Sequence, residues 1–136
     1  MQVRVYFEDT DFSQMVYHAN YLRFMERGRT NYLRLLGTDH RRLFESADKD
    51  LSGFVFVVRS MKIDYFKPAY MDDVVDVITA PEEIKGASIT LHQQCRRGAD
   101  LLVEARVRVA LVSAGKAQRI PKGLRDAMEV GARGTS

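Results

Sequence analysis

The alternation of residues 101 to 111 constrains the fold more than any other part of the chain. Every odd-numbered residue in this run is apolar, while Glu104, Arg106 and Arg108 carry charges on intervening positions. A two-residue period places the two sets on opposite faces of a strand. The length suits a central strand of an antiparallel sheet with one buried face. Alternation at residues 2–7 and 88–96 predicts two further strands, and runs rich in apolar, β-branched or aromatic residues predict two more at 54–66 and 74–79.

A helical period governs residues 19 to 36. Apolar residues recur there at three- and four-residue spacings, which predicts an amphipathic helix that stops at Gly37. The mixed, polar composition of residues 38–52 predicts a connecting segment with at most one short helical turn, at 41–46. One strand, one long helix and then four strands predict an α+β domain in which the helix covers one face of an antiparallel sheet.

Length and composition favour one ordered domain. A chain of 136 residues with 46% hydrophobic residues can bury one core, so we expect a single domain over residues 1–136 with a flexible tail from about 127. The one cysteine, Cys95, excludes an internal disulfide and is typical of a reducing compartment, so we expect a cytoplasmic protein. Neither a signal sequence nor an apolar run of membrane-span length is seen.

Partners and cofactors are limited by the same composition. The net charge of +3 is scattered rather than concentrated in a basic stripe, which argues against nucleic acid binding. The spacing of His18, His40 and His92 and the absence of a phosphate-binding glycine loop give no reason to expect a metal or a cofactor. A sheet edge of this kind is commonly covered by a second copy, so we expect a homodimer or homotetramer.

Asp9, Asp11 and His18 lie in a loop between the first strand and the long helix. Helix starts attract anions and polarise carbonyl groups, so this loop is the candidate reaction site. Asp9 and Asp11 taken alone are equally well explained as residues that cap the helix or close a turn. His18 alone is more often a hydrogen-bonding residue with a structural role.

Two segments together carry a family resemblance. Residues 3–37, VRVYFEDTDFSQMVYHANYLRFMERGRTNYLRLLG, and residues 56–74, FVVRSMKIDYFKPAYMDDV, resemble the hotdog-fold acyl-CoA thioesterases of the 4-hydroxybenzoyl-CoA thioesterase type. The bacterial branch associated with the Tol-Pal system is the most similar, and the resemblance covers about residues 2–125. It implies a hotdog fold and hydrolysis of an acyl-CoA thioester to a carboxylic acid and coenzyme A.

The resemblance also implies residue roles. Asp11 corresponds to the family's catalytic carboxylate and His18 to a second active-site residue, while backbone amides near residues 18–20 would hold the thioester carbonyl. The family's loop usually has A-G-G or P-A-G where this chain has Phe12, Ser13 and Gln14, so the glycine-dependent loop shape is in question. Asp11 could act as a general base on water or as a nucleophile. Asp9 is predicted to be structural.

Other residues are predicted to contact the substrate. The candidates are Tyr17, Ala19, Asn20, Val58, Arg59 and Ser60, with Phe12 and Phe54 as further residues that could shape the acyl pocket. The coenzyme A phosphates would be met by basic residues such as Arg59, Lys62, Arg119 and Lys122. The loop departure leaves a non-catalytic hotdog module that binds an acyl thioester or a protein as the alternative, and a hotdog dehydratase or hydratase as a third. The acyl group remains open.

Overall fold

The computed structural model describes residues 1–36 and 54–134. The predicted stop at Gly37 and the helical turn at 41–46 lie outside these residues, as does the side chain of Phe54. The elements in chain order are β1 (Gln2–Arg4), a 3-10 turn (Phe7–Asp9), α1 (Asn20–Leu36), β2 (Phe54–Tyr65), β3 (Val74–Lys85), β4 (Ser88–Arg97), β5 (Asp100–Ser113), β6 (Lys116–Ala117) and α2 (Lys122–Gly134).

The strands form one sheet in the order β1-β3-β4-β5-β2, with β6 paired to β5. β1 is antiparallel to β3, with Val3 opposite Val75, and both of these side chains are buried. The predicted alternation on β4 is confirmed, because Ile89, Leu91 and Cys95 are fully buried together with Gln93. The α+β architecture follows the prediction, and its strands are longer than predicted at β3, which continues to Lys85.

Two compact units make up the chain. The first consists of Met1–Tyr32, Lys62–Thr79 and Gln93–Ala105. In this unit α1 lies close to the sheet, because a Cβ atom added to Gly28 would stand 2.6 Å from Cγ1 of Val77. Gln93 supports this packing: its Nε2 donates to the Met25 carbonyl oxygen and to Thr79 Oγ1, both at 2.9 Å. Arg29 Nη1 donates to Gln93 Oε1 at 2.9 Å.

The second unit takes in residues 33–61, 80–92 and 106–136, and its described part contains α2. This helix corrects the prediction of a flexible tail from about residue 127. Leu124 and Met128 are four positions apart and therefore share one helix face, and both are buried, Met128 completely. The single domain predicted for residues 1–136 remains a prediction.

The first predicted strand is too long by several residues. Val3 and Val5 are buried as expected, but Phe7 is 79% exposed. The chain turns at Tyr6, whose amide donates to Asp9 Oδ2 at 2.9 Å while its carbonyl oxygen accepts from the Asp9 amide at 3.0 Å. This turn ends the strand and begins the loop that carries Asp11.

Candidate active site

The loop that carries Asp11 is a tight turn. The Asp11 amide donates to the Met15 carbonyl oxygen at 2.9 Å, and the Gln14 amide donates to the Asp11 carbonyl oxygen at 3.0 Å. Gln14 has a φ of 64°, in the left-handed region that glycine adopts most easily. The sequence departure at residues 12–14 therefore leaves the loop with a glycine-like backbone at Gln14.

The end of this loop is anchored to the segment after β2. Val16 donates its amide hydrogen to the Ala69 carbonyl oxygen at 2.8 Å, and Met15 forms a bridge with Tyr70. The Ala69 amide donates in turn to the Tyr21 hydroxyl oxygen at 3.0 Å. Burial raises the pKa of Tyr21, so the phenol stays neutral at physiological pH. A residue of α1 thus fixes the strand-end segment on which the loop rests.

Asp9 organises the approach to α1 through its main chain. Its carbonyl oxygen accepts hydrogen bonds from the Tyr17 amide and from Asn20 Nδ2, both at 2.9 Å. The Asn20 amide donates to the Tyr17 carbonyl oxygen at 2.8 Å. Within the described residues, the amides of His18 and Ala19 donate to no backbone carbonyl oxygen. Two peptide N–H groups just before the helix are therefore available to an acceptor such as a polarised carbonyl.

An open cleft of about 310 Å³ brings Asp11 and His18 together. Tyr65 closes one side of it, since its hydroxyl donates to the His18 carbonyl oxygen at 3.1 Å and its ring centroid lies 6.1 Å from that of His18. The Tyr17 ring does not line the cleft but lies against the His18 imidazole, with 4.6 Å between the ring centroids. The remaining lining residues are Met15, Val16, Tyr21, Phe66, Lys67 and Pro68.

Asp11 is exposed, and its Oδ1 accepts two hydrogen bonds from Ser13, from Oγ at 2.5 Å and from the amide at 2.9 Å. The Ser13 side chain and then its amide lower the pKa of Asp11, which is therefore a carboxylate at neutral pH. A carboxylate beside a cleft can deprotonate a water molecule or attack an electrophilic carbon. Both chemistries are open to this residue.

The other predicted contact residues are distributed unevenly. Tyr17 and Ala19 just before α1, and Asn20 at its first position, are next to His18 in the chain but do not line the cleft. Val58, Arg59 and Ser60 are exposed on β2 and are also absent from its lining. Of the residues proposed for phosphates, Lys62, Arg119 and Lys122 are exposed. Arg59 lines a separate open groove in the second unit with Lys85 and Arg108.

Four cleft residues at the end of β2 and directly after it were not among the predicted site residues. Tyr65, Phe66, Lys67 and Pro68 follow one another there, and Lys67 Nζ lies 3.1 Å from Asp100 Oδ1. The proline at the strand end gave a turn signal, but nothing in the local pattern indicated which distant loop the turn would meet. In the described part of the chain, no cluster of His, Cys, Asp and Glu could hold a metal ion, and no helix is long and apolar enough to cross a bilayer.

Known proteins resemble this chain over most of its length. Residues 5–128 match the Thioesterase-like superfamily. The acyl-CoA thioesterase YbgC of Haemophilus influenzae is 45% identical over 114 residues, covering 84% of this chain and 80% of that protein. The acyl-CoA thioester hydrolase YbgC of Escherichia coli O6:H1 is 37% identical over 125 residues, covering 90% of this chain and 89% of that protein. A crystal structure of a probable thioesterase from Bartonella henselae superposes with a TM-score of 0.74 at 40% identity, covering 89% of this chain and 96% of that one.

Proposed function

The chain belongs to the Thioesterase-like superfamily, and on that premise we propose that it hydrolyses an acyl-CoA thioester in the cleft lined by Asp11 and His18. It is a thioester hydrolase, and the relatives named as acyl-CoA thioesterases supply the substrate class. The observation that carries the residue assignment is the meeting of the Asp11 carboxylate and His18 in one cleft. The unbonded amides of His18 and Ala19 add a second element of the site.

The proposed reaction uses these groups as follows. Asp11 either removes a proton from a water molecule that attacks the thioester carbon, or attacks that carbon itself to give an anhydride that water then hydrolyses. The carbonyl oxygen becomes negative at the tetrahedral stage and accepts from the amides before α1. A well-placed donor of this kind contributes about 3 kcal/mol to transition-state stabilisation. The carbon–sulfur bond then breaks, and coenzyme A leaves as its thiolate.

His18 is proposed to support this chemistry rather than to carry it. A thiolate leaves without prior protonation, so an acid is not essential at that step. The imidazole contacts the rings of both Tyr17 and Tyr65, which restricts its orientation. We assign it the role of holding the attacking water or orienting the substrate carbonyl near Asp11.

We also propose that the enzyme is a homo-oligomer in the cytoplasm. Several large apolar side chains of the first unit are exposed near the Asp11 loop, namely Tyr6, Phe7, Phe12, Tyr70 and Met71. Exposed apolar groups at this density favour burial against a second copy. The reduced, buried Cys95 fits a reducing compartment.

A coenzyme A release assay tests the proposal. The purified protein is offered a panel of aromatic and alkyl acyl-CoA thioesters, and free thiol is followed with a chromogenic disulfide reagent. We expect turnover that Asp11→Asn reduces by at least a hundredfold with an unchanged circular dichroism spectrum. Asp9→Asn is the matched control, because its amide oxygen can still accept from the Tyr6 amide. Binding of every thioester without thiol release would favour the non-catalytic module instead.

A further inference from the structure

Ser13 donates two hydrogen bonds to one carboxylate oxygen of Asp11. Its hydroxyl and its amide both donate to Asp11 Oδ1, at 2.5 Å and 2.9 Å. The backbone amides of Met15 and of Asp11 itself also lower the pKa of this carboxylate, but less than Ser13 does. Hydrogen bonds to an ionised acceptor are shorter and stronger than neutral ones. Both Ser13 hydrogen bonds go to Oδ1, so they distinguish this oxygen from Oδ2.

The backbone keeps Ser13 in this position. Two main-chain hydrogen bonds close the turn, one from the Asp11 amide to the Met15 carbonyl oxygen and one from the Gln14 amide to the Asp11 carbonyl oxygen. Gln14 has the left-handed backbone conformation in this turn. Beyond the turn, the Val16 amide donates a hydrogen bond to the Ala69 carbonyl oxygen. The turn therefore holds the backbone of Ser13, and with it the Ser13 amide, next to Asp11, while the Ser13 side chain is exposed.

We propose that Ser13 is a positioning residue for the reaction: it holds Oδ1 of Asp11 so that Oδ2 is the oxygen that acts on water or on the thioester carbon. This inference rests on the proposed function and refines it. An unrestrained aspartate rotates about its side-chain bonds, and that freedom must be lost before it can react. The Ser13 contact removes part of this freedom before the substrate arrives.

The same contact sets the protonation of the carboxylate. The Ser13 hydroxyl is the largest cause of the lowered pKa of Asp11, and the Ser13 amide is the second. The other titratable groups that line the cleft with Asp11 are His18, Tyr21, Tyr65 and Lys67. Since the reactive form is the carboxylate, a lowered pKa keeps the enzyme active to a lower pH. Loss of the hydroxyl should move the acidic limb of the activity profile upward.

The experiment compares Ser13→Ala and Ser13→Thr with the wild-type protein. Two readouts are measured: kcat and KM as functions of pH, and the pKa of Asp11 by carbon-13 NMR of labelled aspartate carboxyl groups. Ser13→Ala should raise the pKa of Asp11 and move the acidic limb of the activity profile to higher pH. It should also lower kcat about tenfold with little change in KM, as the loss of a hydrogen bond to a charged group implies. Ser13→Thr retains the hydroxyl, so its Asp11 pKa and its pH profile should match those of the wild-type protein.

Gln14→Gly is the matched loop control. Glycine adopts a positive φ freely, so this variant keeps the turn and the Ser13 contact, and its acidic limb should match that of the wild type. A Ser13→Ala protein with a wild-type pH profile and a wild-type Asp11 titration would overturn the proposal. If the wild-type protein released no thiol, the proposed function would fail, and the NMR titration alone would decide whether Ser13 holds Asp11.

Discussion

The Tyr65 hydroxyl at the end of β2 donates to the carbonyl oxygen of His18, 3.1 Å away. This bond orders the peptide just before α1, and the neighbouring amides are those proposed to hold the substrate oxygen. Tyr65→Phe should therefore lower kcat by about three- to tenfold, and it should lower the free energy of unfolding by no more than about 1 kcal/mol, the net value of one hydrogen bond. Steady-state kinetics and thermal unfolding measure the two effects. Tyr70→Phe, another exposed tyrosine of the first unit, is the control, and an equal loss of kcat in both variants would contradict the specific role of Tyr65.

Gly28 has no room for a side chain. An added Cβ atom would lie 2.6 Å from Val77 Cγ1, 3.2 Å from Thr79 Oγ1 and 3.3 Å from Gln93 Nε2. We expect Gly28→Ala to reduce the free energy of unfolding by about 1–3 kcal/mol, because the close contact exceeds the helix-propensity gain of alanine. Urea unfolding followed by circular dichroism measures the change. Arg23→Ala on the exposed side of α1 should change it by less than about 0.5 kcal/mol; an increase in stability for Gly28→Ala would show that α1 shifts without cost.

Gln93 is a fully buried amide with three hydrogen bonds, to Met25, Thr79 and Arg29. Gln93→Leu leaves these partners without their bonds, so we expect a loss of about 2–4 kcal/mol in unfolding free energy. Gln94→Leu on the adjacent position of β4 removes only a contact with Arg96 and should cost less than about 1 kcal/mol. Chemical denaturation of both variants compares them. Equal losses would mean that the buried network does not contribute beyond an ordinary half-buried contact.

Asp73 pairs with Arg97, with 2.8 Å between the carboxylate oxygen and the guanidinium nitrogen. Burial raises the pKa of Asp73, but hydrogen bonds from the Tyr70 amide and from Arg97 outweigh it and lower the pKa below 3.8. Because the pKa of Asp73 is lower in the folded than in the unfolded state, its carboxylate stabilises the fold at pH values above the unfolded-state pKa. This stabilisation is lost as the pH falls through the folded-state pKa.

Asp73→Asn should accordingly destabilise the protein by about 1 kcal/mol at pH 7, a modest value because the pair is partly exposed. The difference from the wild type should shrink as the pH is lowered below about 3.8. Urea unfolding at a series of pH values gives both numbers. Asp64→Asn on β2, an exposed carboxylate, should show neither effect. If the difference in unfolding free energy between the wild type and Asp73→Asn grew as the pH was lowered, the stabilising role of the Asp73 carboxylate would be contradicted.

Cys95 is buried, and burial raises the pKa of its thiol to about 12. The thiolate is the reactive form, so a disulfide reagent should label the native protein at least a hundredfold more slowly than the protein in urea. Absorbance at the reagent's chromophore measures the rate. Because Cys95 reacts slowly with the reagent, the enzyme itself should add little signal to the assay that detects released coenzyme A. Stoichiometric labelling of the native protein within minutes would contradict the burial of Cys95.

The elements that the sequence predicted well are those with a long, regular period. The α+β architecture was predicted from the alternating strands and the helical period of residues 19–36, and the family resemblance implied the hotdog fold. The structure and family membership confirm these predictions. In β4 the apolar positions Ile89, Leu91 and Cys95 are all buried as predicted. Such patterns are local, so they are readable without knowledge of the tertiary contacts.

The misses depend on contacts between distant residues or on weak local signals. α2 has three glycines, Gly123, Gly131 and Gly134, and glycine disfavours helix, so its pattern alone gave no helix. Phe7 continues the alternation of β1, but the Tyr6–Asp9 turn directs it outward. The cleft wall formed by Tyr65 and Pro68 meets the Asp11 loop only through tertiary pairing, which a single sequence does not display.

The left-handed backbone at Gln14 has a consequence for how relatives of this chain are found. A side chain in that conformation costs about 1–2 kcal/mol, and the surrounding bonds of the turn must offset that cost. What the loop demands at this position is an angle rather than a particular amino acid. Search patterns that insist on glycine there would discard proteins of the same shape, so a survey that tolerates any residue at the corner should enlarge the set of enzymes open to comparison.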